Sequence, residues 1–146
     1  MLINVDGLPL CKSTNTQFWP ILAKFSKLQQ FIVCLFCGKK KPNNLFDYLN
    51  EFLTEFRLLK VSGIEYNGKV LPVTIKAFVC DAPARSFLKN NKGHGEYHSC
   101  ERCLVEGEYD GRVVFTEVDC QMRSDEQFKD YIYWNHSLGT FISVLK

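Results

Sequence analysis

Two kinds of side chain in this sequence have the type and spacing to do chemistry: carboxylates that end short apolar stretches, and thiols set three residues apart. Asp6 follows Val5 in NVDGLPL, and Asp81 follows Cys80 in FVCDAPAR. Each has two readings. Asp6-Gly7 between Val5 and Leu8 is a two-residue hairpin signal, and Asp6 is also placed to be a metal-binding carboxylate on a first strand. Asp81 is a good N-cap for a helix that starts at Ala82-Pro83. A carboxylate at the end of a strand also faces the crevice where α/β sheets place their sites. Phosphoryl transfer on nucleic acids uses two divalent ions about 3.5–4 Å apart, bridged by carboxylates. Mg²⁺ takes only one or two carboxylates from the protein and keeps several waters. Asp6 and Asp81 could supply such a set if their strands are neighbours.

The thiols are Cys100 and Cys103, in the polar segment SCERC. C-x-x-C suits two thiolates on one tetrahedral Zn²⁺ and is half of such a site. His94 and His98 lie just upstream and could complete it. The alternatives are a pair of free surface thiols, or a redox pair, which the lack of a strand leading into the motif disfavours. Cys34 and Cys37 share the spacing, but residues i and i+3 of a strand face opposite sides. They read as core thiols, as do Cys11, Cys80 and Cys120. Trp19, Trp134 and most of the twelve Phe also read as core. Gly93 and Gly95 form no phosphate loop, and no Ser/His/Asp arrangement is present.

The elements that must position these residues follow from periodicity. Short apolar pieces at 2–5 and 8–10 flank Asp6-Gly7, and 18–25 is a second strand with an irregularity at Pro20. FIVCLFC at 31–37 is an unbroken apolar run, which predicts a central strand covered on both faces. Three consecutive strands predict an antiparallel meander. Asn44 then caps a helix whose stripe is Leu45, Leu49, Phe52, Phe56 and Leu59, ending at Gly63. Asn67-Gly68 predicts a hairpin turn. Residues 73–80 alternate as a strand that Asp81 ends, and 83–91 reads as a short helix. Beyond Gly93 the texture turns small, polar and charged. Asp110-Gly111 is a second hairpin signal, 125–133 a short helix, and 138–145 an apolar stretch at the terminus. The order predicts a mixed α/β fold: residues 1–92 as a catalytic-type core, and 93–146 as a Cys/His-rich insert of the same domain.

Composition agrees with a folded chain of 146 residues, 46% hydrophobic and 23% charged. No apolar run approaches the roughly 20 residues of a membrane span. Residues 1–10 lack a basic start followed by an apolar core, so no signal peptide is expected. Seven cysteines, several inside apolar runs, argue against a disulfide framework and for reduced, intracellular thiols. The net charge of +2 hides an asymmetry: residues 1–92 hold 13 Lys/Arg and 6 Asp/Glu, residues 93–146 hold 5 and 10. A basic first part could face a polyanion, or Lys39, Lys40 and Lys41 could be a solvated loop.

NVDGLPL at 4–10, STNTQFWPIL at 13–22, LFCGKKKPNNL at 35–45, FVCDAPAR at 78–85 and GHGEYHSCERCLVEGEYDGRVVF at 93–115 together resemble the transposase-domain proteins of the CACTA (En/Spm-like) group. The resemblance covers essentially the whole chain. It implies an RNase H-like catalytic domain of the DD(E/D) kind, with a three-strand meander, a helix, and a further strand beside the first. It implies Asp6 and Asp81 as catalytic acids on Mg²⁺ or Mn²⁺, zinc at Cys100 and Cys103, DNA as partner, and a nuclear location. The group's third acid, a Glu, and the histidine partners of its zinc motif lie further downstream. The chain is therefore expected to be a partial domain, incomplete at its C-terminus and inactive alone. The alternative is a non-catalytic nucleic-acid or protein-binding module derived from a transposase.

Overall fold

The structure, a computed structural model, describes residues 1–11, 14–130, 132 and 134–138. It divides into two compact units, Met1–Ala84 and Arg85–Lys146.

The first unit is a mixed sheet with a helix on one face. Strands β1 (Leu2–Val5), β2 (Leu8–Cys11) and β3 (Thr14–Lys24) are followed by β4 (Phe31–Gly38). β1 and β2 both pair antiparallel with β3, and they do so in one register: Val5 faces Ile21 and Leu8 faces Phe18. Asp6-Gly7 is therefore not a hairpin, which corrects that expectation. It is an interruption inside one extended strand, with Asp6 across from Pro20 and Gly7 across from Trp19. Pro20 has no N–H to give the ladder. Gly7 lies under the Trp19 ring, where an added Cβ would sit 2.7 Å from Cζ2. The strand opens because its partner presents a missing donor and then an indole.

β4 pairs antiparallel with β3 and completes the meander. Among the described residues it has no second partner strand, so the expectation of a central strand covered on both faces is overturned. Phe31, Ile32 and Leu35 are 47%, 60% and 49% exposed. An unbroken apolar run does not distinguish a buried strand from an edge strand with one uncovered face.

Helix α1 (Leu45–Ser62) follows as its signals predict. The Asn44 side chain accepts from the Phe46 and Asp47 amides, and Gly63, at φ 69°, donates its N–H to the Leu59 carbonyl. Tyr48, Leu49, Phe52 and Leu53 are buried. They pack with Trp19, Ile21, Ile3 and Val5 as the core, each large apolar side chain contributing about 1.5–3 kcal/mol. The Tyr48 hydroxyl donates to the Trp19 carbonyl at 3.3 Å, and its ring meets Phe36 edge-on.

β5 (Ile64–Tyr66) and β6 (Lys69–Leu71) form the hairpin expected at Asn67-Gly68, both with positive φ. β7 (Ala77–Val79) is shorter than the alternating stretch at 73–80. Its first half runs beside the chain start, where Lys76 N–H donates to the Met1 carbonyl and the Met1 amine to Thr74. β7 lies parallel to β1, with Leu2 facing Ala77 and Asn4 facing Val79. Parallel and antiparallel pairs thus share one sheet.

α2 (Ala82–Leu88) crosses the division between the units. The second unit is turn-rich. β8 (Glu108–Tyr109) and β9 (Val113–Val114) form a hairpin around Gly111, at φ 67°. α3 (Asp125–Lys129) and a 3₁₀ turn (Trp134–His136) follow. The helix expected at 125–133 is shorter, since Asp130 and Ile132 are turn, while 131, 133 and 139–145 lie outside the described residues. Trp134, read as core, is 69% exposed, which corrects that reading.

Candidate functional site

The carboxylates are placed by the β1–β7 pair. Asn4 faces Val79 across parallel strands. Asp6 directly follows the carboxyl end of β1, and Asp81 lies two residues past the carboxyl end of its parallel neighbour β7. Each carboxylate is oriented through one oxygen by local backbone. Asp6 Oδ1 accepts from the Gly7 amide at 2.7 Å, and Asp81 Oδ1 accepts from the Ala84 amide at 2.8 Å. Asp81 is therefore a true N-cap, as one of its two readings held. Capping occupies one oxygen, and the residue is exposed. The two readings of Asp81 are compatible.

Asn4, which sequence reasoning passed over, ties the two strands together. Its Nδ2 donates to the Val79 carbonyl at 2.6 Å, two residues below the acids. A polar residue inside an otherwise apolar first strand was the available signal.

Two aspartates just past the ends of adjacent parallel strands, each with one anchored oxygen, are of the type that suits a hard divalent cation that retains water. Among the described residues no group of three or more His, Cys, Asp or Glu side chains gathers as a ligand set.

In the second unit the Cys100 and Cys103 sulfurs lie 3.0 Å apart. The expected helpers do not join them. His94 is exposed, and no ligand group of three includes it among the described residues. His98 faces Glu106 at 3.7 Å and stands edge-on to the His136 ring, with centroids 5.4 Å apart.

What organises this unit is a residue that sequence reasoning did not single out. Arg123 Nε donates to the Cys103 carbonyl at 2.9 Å, and its Nη2 contacts the Cys100 carbonyl and His136 Nδ1. Its backbone N–H donates to the Arg102 carbonyl at 2.8 Å. His136 is buried. Burial first, then the Arg123 charge, push its imidazole down to about 4, against a hydrogen bond from the ring to the His98 backbone. The ring is thus neutral, with one nitrogen accepting from Arg123 and the other donating to His98. Both nitrogens are satisfied by protein, so His136 as placed has no lone pair for a metal. The thiols fit half of a zinc site, and the histidines do not fit the other half.

Burial, with Glu51 and Glu55 nearby, pushes the Cys34 thiol up. Cys80 and Cys120 are half-buried, whereas Cys37 is exposed, which corrects its reading as a core thiol. The side chain of Cys11 lies outside the described residues. Glu101 is held below the usual carboxylate range: burial raises it, but the Arg85 hydrogen bond and Lys89 outweigh burial.

No helix among the described residues is long and apolar enough to cross a membrane. Set against protein families, curated proteins and solved structures, the chain has no match in any of the three.

Proposed function

We propose that this chain is part of an RNase H-like DNA transposase catalytic domain, in which Asp6 and Asp81 hold Mg²⁺ or Mn²⁺ for strand cleavage and transfer in the nucleus. The observation that supports the reading is the parallel β1–β7 pairing, with both strands leading toward the two acids at the same end of the sheet. The meander, the covering helix and the return of β7 beside β1 agree with it.

A bound divalent ion would supply charge neutralisation at phosphate and an activated water or 3′-hydroxyl. The chain's own residues do the positioning. The Gly7 and Ala84 amides fix one oxygen of each carboxylate. Asn4 holds the strands that carry them in register. Trp19, lying over Gly7, keeps the interrupted strand in place. With two acids at the site, the chain binds metal and does not cut DNA alone. In the second unit Cys100 and Cys103 offer half a zinc site.

The test is calorimetric titration of Mn²⁺ into wild type, Asp6→Asn and Asp81→Asn, with a DNA nicking assay beside it. Binding lost in both variants, with no nicking by wild type, supports the reading. Unchanged binding in the variants overturns it. Mg²⁺-dependent nicking that Asp81→Ala abolishes overturns the claim of inactivity.

A further inference from the structure

Asp6 and Asp81 follow strands that run to one end of the sheet, and the three consecutive lysines at 39–41 follow a strand that runs to the same end. β1 and β7 run toward it, β3 runs away from it, and β4 returns to it. β4 ends at Gly38, opposite Gln17, three residues beyond the level of Pro20 and Asp6. Lys39, Lys40 and Lys41 follow immediately and are exposed. From residue 25 to residue 46 the sequence has four lysines and no acidic residue.

The triplet is held in place at both ends. A Cβ on Gly38 would meet the Phe36 ring at 2.7 Å and the Lys40 carbonyl at 3.2 Å, so the chain turns closely where β4 gives way to the lysines. Pro42 is buried, and Asn44 is fixed as the cap of α1. A merely solvated lysine run needs neither anchor.

Three residues of rise and two strand spacings place the loop about 14 Å from Asp6. On a duplex that distance is about four base pairs.

We infer that the loop at 39–41 is a phosphate-backbone contact for duplex DNA whose strand reaches the Asp6–Asp81 end of the sheet. The inference rests on the reading above for the identity of the polyanion. The contact itself is electrostatic and needs no metal. Each lysine that neutralises a phosphate releases counterions and adds about 0.9 to the slope of log affinity against log salt.

The experiment is fluorescence anisotropy of a labelled 20-base-pair duplex, in EDTA, across a salt series. It compares the wild type, K39A/K40A/K41A, the charge-preserving K39R/K40R/K41R, and a control, K24A/K60A/K69A. The control removes three lysines from the same unit, away from this loop. The loop variant is expected to lose about two to three units of slope and on the order of 100-fold in affinity at 0.1 M salt. The arginine variant keeps the wild-type slope, and the control keeps most of it. An unchanged slope in the loop variant, an equal loss in the control, or no DNA binding by wild type overturns the inference. Because EDTA removes metal, failure here is separable from failure of the carboxylate reading: loss of Mn²⁺ binding in Asp6→Asn would stand regardless.

Discussion

Gly7→Ala is the sharpest probe of how the first acid is held. Gly7 is not among the glycines with positive φ, which are Gly63, Gly68 and Gly111. The cost of adding a methyl is therefore a contact and not backbone strain. The new Cβ would stand 2.7 Å from Trp19 Cζ2 and 2.9 Å from Cε2. Trp19 is buried, and its Nε1 donates to Gln17 Oε1 at 3.2 Å, so the ring cannot swing aside without losing packing. Overpacking of this kind costs about 1–3 kcal/mol. For a unit of this size that lowers the melting temperature by roughly 5–20 °C. The assay is thermal and urea unfolding followed by far-UV circular dichroism, which reads the Trp19→Val background as well as the wild type. The decisive arm is a double-mutant cycle: in a Trp19→Val background Gly7→Ala should cost little, because its collision partner is gone. Equal costs in both backgrounds would refute the argument and return Asp6-Gly7 to a turn governed by backbone geometry.

Three further outcomes follow from the second unit and the acid pair. Arg123→Ala strips partners from two backbone carbonyls and His136, and should destabilise the unit by about 2–4 kcal/mol in urea unfolding. Arg123→Lys should not rescue it, since an ammonium cannot reproduce the fork. The unfolded His136 ring takes a proton near its ordinary value of 6.5, while the folded ring resists to about 4. Stability is therefore full above about pH 6.5 and falls as pH drops toward 4, a loss that hydrogen exchange should register and that His136→Asn should flatten. Asn4→Leu removes the side-chain link to the Val79 carbonyl. It should weaken Mn²⁺ affinity several-fold while circular dichroism stays unchanged; unaltered affinity would show that backbone pairing alone sets the register.

The sequence disclosed elements better than it disclosed surroundings. α1 was legible because its cap, stripe and stop all act locally, and Asn67-Gly68 because a type I′ turn needs residues that tolerate positive φ. Asp6-Gly7 carried the same local signal and misled, because a proline and a tryptophan on the partner strand decided its conformation. β4 misled because apolar runs report hydrophobicity and not coverage. The adjacency of the strands that lead to Asp6 and Asp81 was legible only as a condition, which the β1–β7 register, 75 residues apart in sequence, satisfies. Arg123 and His136 were invisible as a site because Arg123 reaches the C-x-x-C loop across 20 and 23 residues and His136 across 13, without periodicity to announce them.

The most direct test of the central claim is Mn²⁺-induced broadening of amide NMR signals in the whole chain. The Gly7 and Ala84 amides donate to the two acids. Both signals should broaden together at substoichiometric Mn²⁺, and both should be spared in Asp6→Asn and in Asp81→Asn. Broadening centred elsewhere, or of one amide without the other, would contradict a shared metal site at the ends of β1 and β7.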